Sequence, residues 1–499
     1  MSRPLPVNSV FRTWSPPKLR PVLYLIGGML VALSTAMLPP MIADLIARNP
    51  DWLAFFVSSG LTFACGAGLL YGARCQLSGG LTLRQSFVLT PLAWSTIALF
   101  GAMPLYFSDY AQLKDSFTNA FFESMSGLTT TGSTVIVGLD AAPPGILLWR
   151  ALLQWMGGIG IVATAIAILP ALGVGGMQLF RTESSDRSEK VMPRVREIAT
   201  AIGLVYVGLT VTCGFLYWLA GMTPFEALVH GLTTLSTGGY STSDSSMGKF
   251  GPAAQWICTV FMLCGGIPFV LYVRMLQGER DSLRDSQVRS LLALLGIVIF
   301  GLAIWLIANG RYGIEEAFRQ AAFNVVSVVT TTGFATTDYS LWGNVAVGIF
   351  FGLTFVGGCT GSTAGGIKIF RFEVMATLLR SHVRHLIYPR GVFQRVYAGR
   401  VLPDDVVASV VVFFAFFFIC YSAVTIMLMA LDLDFLTSAS AAVTALANVG
   451  PGLGPIIGPA GNFATVPDSA KWILSFAMLL GRLELFTVLI LFFPHFWRG

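Results

Sequence analysis

The sequence predicts an all-α integral membrane protein in which four similar units surround one central pore with pseudo-fourfold symmetry. Three observations predict it: an apolar composition, ten stretches long enough to span a bilayer, and four short apolar segments that end in similar glycine-containing turns. Of the 499 residues, 55% are hydrophobic and 11% are charged, against roughly 25% charged in soluble domains. The mean hydropathy is +0.73. This composition excludes a soluble enzyme, a disordered chain and a nucleic-acid-binding protein whose basic surface would explain the net charge of +6.

The spanning helices are predicted from apolar stretches of about 20 residues, the length that crosses a bilayer. Ten such stretches occur, at 22–42, 52–73, 86–107, 145–174, 197–220, 253–276, 288–308, 342–367, 404–431 and 470–493. The first two precede the repeated part of the chain. We therefore divide the sequence into a leading pair of helices at 1–80 and four repeats at 81–185, 186–282, 283–400 and 401–499.

Four shorter apolar segments lie between the spans, at 115–129, 224–236, 315–330 and 435–447. Each is too short to cross a bilayer, so it is either a re-entrant half-helix or a buried core helix. A cluster of Thr, Ser or Asn with Gly follows each one. With Gly132, Gly238, Gly333 and Gly450 taken as equivalent, the separations are 106, 95 and 117 residues. This period near one hundred indicates an internal repeat.

Basic residues predict the orientation in the membrane. With the N-terminus inside and ten spans, 23 of the 31 Lys and Arg residues fall on the inner side, which agrees with the positive-inside rule. Both termini are then cytoplasmic. The assignment requires all four short segments to enter and leave on the outer side.

The four turns favour a dehydrated cation at their centre. The C-terminal end of a helix carries a partial negative charge, and glycine lets the following backbone turn its carbonyl groups inward. Rings of carbonyls can replace the hydration shell of an ion. The alternative is that each cluster only ends a helix in a polar turn. The candidate cation-binding residues are Thr130, Thr131, Gly132, Thr237, Gly238, Thr331, Thr332, Gly333, Asn448, Val449 and Gly450.

A second glycine-rich triplet recurs in the later span of each repeat and singles out Arg482. The triplets end at Gly158, Gly266, Gly358 and Arg482, so the fourth repeat carries arginine where the others carry glycine. A charge about 15 Å into the bilayer is expensive and is a functional candidate by default. We expect Arg482 to face the axis or the back of a loop, where it anchors carbonyls and places a positive barrier below the cation. The alternative is a structural ion pair with Glu484 or another buried acid.

The later span of the third repeat is interrupted by ten residues of which five are glycine. A regular helix would lose ~1 kcal/mol at each glycine relative to alanine, so we expect an unwound, mobile loop that acts as a gate. A phosphate-binding loop does not fit, because no Gly-Lys-Ser/Thr sequence is present; a kink that allows close packing is the remaining alternative. The candidate gate residues are Gly357, Gly358, Cys359, Thr360, Gly361, Ser362, Thr363, Ala364, Gly365, Gly366, Lys368 and Arg482.

The remaining polar residues give weaker signals. Five lie on the short segments, and we expect them to tie these segments to their neighbours rather than to touch ions: Glu123, Glu226, His230, Arg319 and Asn324. Asp244 and Asp338 follow their turns outside and either concentrate cations at the mouth or are ordinary solvated acids. Seven cysteines and four histidines show no metal-ligand or catalytic spacing, so we expect neither a cofactor nor an enzyme.

Six motifs together resemble the superfamily of Trk, Ktr and HKT potassium transporters, and most closely its bacterial Trk-type membrane subunit. They are Thr129-Thr130-Thr131-Gly132-Ser133, Ser236-Thr237-Gly238-Gly239-Tyr240, Thr330-Thr331-Thr332-Gly333-Phe334, Asn448-Val449-Gly450-Pro451-Gly452, the stretch GCTGSTAGGIK at 358–368 and GRLELFT at 481–487. The likeness covers nearly the whole chain, including the two extra leading spans.

The resemblance implies a single-chain potassium channel-like pore whose filter glycines are Gly132, Gly238, Gly333 and Gly450. It implies that the broken helix of the third repeat is the gate, with Arg482 beside it. Family members with serine at the first glycine tend to pass sodium, so Gly132 favours potassium. The resemblance also implies a homodimer in the inner membrane, in contact with membrane lipid, and a cytosolic nucleotide-binding (TrkA-like) regulatory subunit. We assign that subunit to the basic segments 181–197 and 368–403, whose charge would otherwise serve only for orientation.

We therefore expect selective K⁺ uptake, with K⁺ as the transported ion, driven by the electrochemical gradient. No ATP site is visible, and the membrane potential supplies ~2.3 kcal/mol per 100 mV for one charge. A symporter that couples K⁺ to H⁺ or Na⁺ is the alternative, although no convincing chain of titratable residues is present within the spans. We expect no nucleic-acid partner.

Overall fold

The structure, a computed structural model, describes residues 19–75, 81–167, 191–279 and 285–498, and these are mostly helical. A hairpin of two-residue strands, Val396–Tyr397 and Arg400–Val401, is paired antiparallel. The helices of six or more residues, in chain order, are α1 Arg20–Ala36, α2 Leu38–Ala47, α3 Trp52–Gly72, α4 Leu83–Gly101, α5 Phe117–Leu128, α6 Pro144–Ala167, α7 Val191–Leu219, α8 Pro224–Leu235, α9 Pro252–Gly266, α10 Phe269–Leu276, α11 Ser286–Ala308, α12 Ile314–Val329, α13 Asn344–Thr354, α14 Ile369–Ile387, α15 Asp404–Met429, α16 Phe435–Ala447 and α17 Asp468–Arg482.

Nine of the ten predicted spans correspond to described helices or bent helix pairs that are long and apolar enough to cross a membrane, and the later spans of three repeats are not straight. Within the described residues, seven helical segments are long and apolar enough to cross a membrane, and two bent helix pairs bring the number to nine. The tenth predicted span, 342–367, is helical only over α13. The end of the predicted span 145–174 lies outside the described residues, as does most of the basic segment 181–197.

The later spans of repeats 2, 3 and 4 all break at the recurring glycine triplet. The chain turns by 94° between α9 and α10, and by 107° between α17 and the short helical segment Phe486–Phe492. In repeat 1, α6 continues through its triplet without a break. We predicted a break in the third repeat alone, which was wrong for the second and fourth. In repeat 2 the cause is Gly265-Gly266 followed by Pro268, and in repeat 4 it is the positive φ of Glu484 and Leu485.

The four short segments are half-helices, as predicted: α5, α8, α12 and α16 contain 12, 12, 16 and 13 residues. At 1.5 Å per residue they are about 18–24 Å long, less than the ~30 Å hydrocarbon core. Side chains of Ser116, Thr223 and Asp434 cap the N-termini of α5, α8 and α16. The third, α12, starts after Gly313 and has two glutamates in its first turn, which favour that end of the helix dipole.

The leading helices pack on each other and on the first repeat. Gly27 and Gly66 face each other, because a Cβ on either would lie 2.9 Å from the carbonyl oxygen of the other. Small residues allow such close helix approach in a bilayer. The buried carboxylate of Asp44 accepts a hydrogen bond of 2.7 Å from the backbone N–H of Gly145, at the start of α6. The leading pair thus holds the N-terminal end of the later span of repeat 1.

Candidate functional site

The loop that follows each half-helix, here called a return loop, has the same backbone conformation in all four repeats. One residue with positive φ comes first, and a glycine with positive φ comes two residues later. The pairs are Thr130 and Gly132, Thr237 and Gly239, Thr331 and Gly333, and Asn448 and Gly450. The N–H of the residue between them bonds to the carbonyl five residues before it, at 2.8, 2.9, 2.8 and 3.0 Å in repeats 1 to 4. Four unlike sequences therefore form one local structure.

The backbone pairs Gly239, rather than Gly238, with the other three glycines. The separations become 107, 94 and 117 residues, and the sequence alignment of repeat 2 was wrong by one residue. Gly238 has no positive φ and occupies the position of Thr131, Thr332 and Val449. The sequence holds a signal for this register that we missed. A polar residue lies nine positions before the positive-φ glycine in the first three repeats: Glu123, His230 and Asn324.

The four return loops form a closed ring. A Cβ added to Gly132 would collide with the carbonyl oxygen of Gly238, in the next repeat. The same collision recurs from each repeat to the next, and the fourth repeat closes on the first, where a Cβ on Gly450 would lie 2.6 Å from the carbonyl oxygen of Thr131. The complete series is Gly132 to Gly238, Gly239 to Thr332, Gly333 to Val449 and Gly450 to Thr131. Only glycine fits at this distance, so the loops meet around a common axis.

The ring is buried and its side chains hold one another. The exposure of Thr130, Thr131, Thr237, Thr331, Thr332, Asn448 and Val449 is at most 1%. The side-chain amide of Asn448 donates to Thr131 Oγ1 at 3.0 Å and to the Met478 carbonyl at 2.9 Å. The hydroxyl of Ser133 donates to the Gly450 carbonyl at 2.8 Å. Repeats 1 and 4 are therefore joined at the ring.

A buried ion pair supports the ring behind repeats 1 and 2. The Nε of Arg150, on α6, lies 2.7 Å from the carboxylate of Glu123, on half-helix α5. Glu123 also accepts from Thr134 and from the Val135 N–H at 2.9 Å. The guanidinium of Arg150 lies 3.9 Å from the ring centroid of Tyr240 in the second return loop. We did not single out Arg150 from the sequence, although a charge inside a predicted span is a functional signal in itself.

The other polar residues of the half-helices tie these helices to neighbouring segments, as we expected. His230 Nε2 lies 3.0 Å from Ser241 Oγ, and the amide of Asn324 donates to Thr336 Oγ1 at 2.9 Å. Arg319 bonds to Gln255 on the later span of repeat 2 and pairs with Glu315. These bonds fix half-helices α8 and α12 to their own loops or to a neighbouring helix.

Residues 357–366, here called the span loop, are unwound as predicted, and they are packed against the underside of the ring. The N–H of Gly365 donates to Thr331 Oγ1 at 2.6 Å, and Thr363 Oγ1 donates to the Leu235 carbonyl at 3.1 Å. A Cβ on Gly365 would collide with the carbonyl oxygen of Ala447. The span loop thus touches the C-terminal ends of half-helices α8 and α16 and the return loop of repeat 3. The ammonium of Lys368, which lies two residues after the span loop, donates to the Ala364 carbonyl within the loop.

Arg482 reaches across from repeat 4 to the span loop. Its guanidinium donates to the Thr363 carbonyl at 2.9 Å and to the Gly157 carbonyl at 3.4 Å, and the residue is 3% exposed. Glu484, the alternative partner, instead pairs with Arg371 at 2.5 Å. Within the described residues the structure therefore favours the carbonyl-anchoring interpretation of Arg482. A cavity lined by Lys368, Arg482 and Glu484 lies beside the span loop.

The loops at the half-helix N-terminal side are held by ion pairs outside the spans. Lys249 lies 3.1 Å from both Asp140 and Glu226. Burial raises the pKa of Asp140, but hydrogen bonds from Lys249 and Ser243 outweigh that effect and lower the pKa below its ordinary value of 3.8. Asp244 accepts from the backbone N–H groups of residues 138 and 139, so it links return loops 1 and 2.

Among the described residues, no group of three or more His, Cys, Asp or Glu side chains could hold a metal ion. The cysteines that the structure describes are free thiols. The oxygens of the ring residues are backbone carbonyls, threonine hydroxyls and the side-chain amide of Asn448.

Comparison with known proteins gives one consistent result. The TrkH family, described as cation transport protein, matches residues 53–498. The chain is 48% identical over 495 residues to the Trk system potassium uptake protein TrkI of Halomonas elongata, covering 99% of both chains. It is 37% identical over 486 residues to TrkH of Escherichia coli K12, covering 96% of this chain and 99% of that protein. The crystal structure of the potassium transporter TrkH from Vibrio parahaemolyticus superimposes with a TM-score of 0.89 at 35% identity, covering 96% of this chain and 100% of that one.

Proposed function

The chain belongs to the TrkH family of cation transport proteins, which are transporters and not enzymes, and from this premise we propose that it takes up K⁺ through the ring of return loops. The relatives described as potassium uptake proteins match almost end to end. The observation that carries the proposal is the closed series of contacts in which each positive-φ glycine abuts a carbonyl of the next repeat. A ring that one polypeptide closes on itself is suited to surround a single ion path.

The ion-binding groups in this proposal are backbone carbonyls of the return loops and the hydroxyls beside them. The four half-helices point the negative ends of their dipoles toward the ring. Within the described residues, no donor reaches the carbonyl oxygens of Thr131, Thr332 and Val449, so these oxygens are free to bind an ion. Carbonyls at fixed positions can replace the water around K⁺. We therefore keep all eleven loop residues as candidate ligands and add Gly239.

The span loop with Lys368 and Arg482 is the proposed gate. Its contacts with half-helices α8 and α16 and with return loop 3, together with the bond from Arg482 to Gly157 in repeat 1, involve all four repeats. Such a loop closes the path below the ring and can open it only by moving. The close packing of Gly357 and Gly365 also fits a structural kink, and the two interpretations differ in whether shortening the loop raises the flux.

The membrane arrangement is proposed from charge. The half-helices enter from outside, both termini are cytoplasmic, and the host membrane is the inner membrane of a bacterium. The basic segment 368–403, which includes α14, would contact a cytosolic nucleotide-binding subunit, and two copies of the chain would form a homodimer. The division into repeats at 81–185, 186–282, 283–400 and 401–499 is part of the same proposal.

Purified protein in liposomes tests the proposal. With an imposed inside-negative potential and no pH or Na⁺ gradient, we expect Rb⁺ or K⁺ uptake well above Na⁺ uptake. Uptake that requires a H⁺ or Na⁺ gradient would instead support the symporter.

A ring variant tests the assignment of the filter. Gly450→Ala adds a Cβ 2.6 Å from the Thr131 carbonyl at a φ of +110°, so we expect the K⁺/Na⁺ uptake ratio to fall at least tenfold. If folded Gly450→Ala protein keeps the wild-type ratio, the ring is not the filter.

A further inference from the structure

The second return loop lacks a side chain at one position where each of the other three loops carries one. Thr131, Thr332 and Val449 are β-branched, whereas the equivalent residue in repeat 2 is Gly238. The backbone does not require this glycine, because its φ is not positive. A side chain is excluded there by Gln154, a buried residue of α6 in repeat 1. A Cβ on Gly238 would lie 2.8 Å from Gln154 Cγ and closer still to the side-chain amide.

The amide of Gln154 makes two bonds with the second loop. Its Nε2 donates to the Gly238 carbonyl at 2.5 Å, and its Oε1 accepts from the Tyr240 N–H at 3.1 Å. Gln154 itself is fully buried. Its two bonds flank Gly239, the positive-φ residue of this repeat, and fix the peptide groups on both sides of it.

The bond to Gly238 makes the ring unequal. Of the four carbonyls that abut a neighbouring glycine, the one at Gly238 accepts a hydrogen bond, and in the described part of the chain the other three have no donor. A carbonyl that already accepts from an amide cannot rotate freely and offers less charge to a cation. The ring therefore has three free oxygens and one that is held.

We propose that Gln154 is a positioning residue for ion selectivity, and that Gly238 is glycine because it must admit the Gln154 amide. This inference rests on the proposed function of the ring. In this arrangement Gln154 occupies the volume that a β-branched side chain fills in the other repeats, and it prevents the second loop from closing around a smaller ion. Gln154 and Gly238 are consequently a coupled pair, because the side chain of Gln154 occupies the space that the missing side chain of Gly238 leaves.

The first test replaces the amide with an apolar side chain of similar size. In liposomes, we expect Gln154→Leu to lower the K⁺/Na⁺ uptake ratio about fivefold, which corresponds to ~1 kcal/mol at ~1.4 kcal/mol per decade. The matched control is Gln255→Leu. Gln255 is also a buried glutamine of a later span, and it bonds to the Met247 and Phe250 carbonyls and to Arg319 rather than to the ring. The control should keep the wild-type ratio. An unchanged ratio in Gln154→Leu, or an equal fall in Gln255→Leu, overturns the proposal.

The second test uses the coupling and does not depend on a single variant folding. Gly238→Thr alone should lose the folded, monodisperse protein or lower the K⁺/Na⁺ ratio. Gln154→Ala combined with Gly238→Thr should recover yield and ratio toward wild type, because threonine then fills the space as it does in repeats 1 and 3. If the loss of yield or ratio in the double variant equals the sum of the losses in Gln154→Ala and Gly238→Thr, the pairing is refuted.

The proposed role of Gln154 and the proposed function of the ring can each fail without the other. If Gly450→Ala changes selectivity and Gln154→Leu does not, only the present inference is wrong. If Gly450→Ala leaves the ratio unchanged, the proposed function of the ring is wrong.

Discussion

The buried pair of Glu123 and Arg150 allows the strongest quantitative prediction about the support of the ring. Breaking a buried ion pair by removing one partner costs ~3–5 kcal/mol, because the other charge is left uncompensated. Here Glu123 loses a bond of 2.7 Å in Arg150→Met, and Arg150 loses its counter-charge in Glu123→Gln. At ~2 °C per kcal/mol, the lower end of the scale for large domains, each single variant should lower the thermal midpoint by about 6–10 °C.

The decisive measurement is the double variant. Replacing both partners of a buried ion pair is often nearly neutral, so Glu123→Gln combined with Arg150→Met should lower the midpoint less than either single change. Thermal denaturation in detergent, followed by size-exclusion chromatography of the surviving protein, gives the midpoints. Lys114→Met is the control, because its pair with Asp109 is largely exposed and exposed pairs contribute little. Additive losses in the double variant would refute the reasoning.

Two further predictions concern the span loop and the outer loops. Arg482→Ala should raise the resting Rb⁺ flux into liposomes. The Thr363 carbonyl then loses its donor at 2.9 Å, and the positive charge below the ring is removed. Unchanged flux at a normal protein level would contradict the proposed gate. Lys249→Met should lower the thermal midpoint at pH 7, and its difference from wild type should shrink as the pH falls below 3.8, since a carboxyl with a lowered pKa, as in Asp140, stabilises the fold above its unfolded pKa and loses that contribution as pH falls through its folded pKa. A difference between Lys249→Met and wild type that grows toward acidic pH would contradict this assignment.

Much of the architecture could be predicted because it follows from length and hydropathy. A segment of a dozen apolar residues cannot cross ~30 Å of hydrocarbon, so the four half-helices were identified to within two residues at either end. The unwound segment of repeat 3 was predicted from the high helix penalty of its glycines. Because the four repeats are similar, we also predicted that their four loops meet around one axis.

The rest depends on geometry that a one-dimensional pattern does not contain. Gly238 and Gly239 are adjacent, and only the sign of φ distinguishes them. The sharp turns after Gly266 and Arg482 do not change a hydropathy window, so both spans looked continuous. Gln154 and Arg150 sit within an apolar span, and their partners are about 85 and 27 residues away in sequence.

The closure of the ring within a single polypeptide has an evolutionary consequence. In a channel assembled from four identical subunits, one codon change alters every ligand in a layer at once, so most such changes are drastic. In this chain a mutation changes the residue in one of the four return loops and leaves the equivalent residues of the other three unchanged. With the ring as the proposed filter, ion preference can therefore change in small, separately inherited steps, and one repeat can acquire its own structure while the others stay as they were.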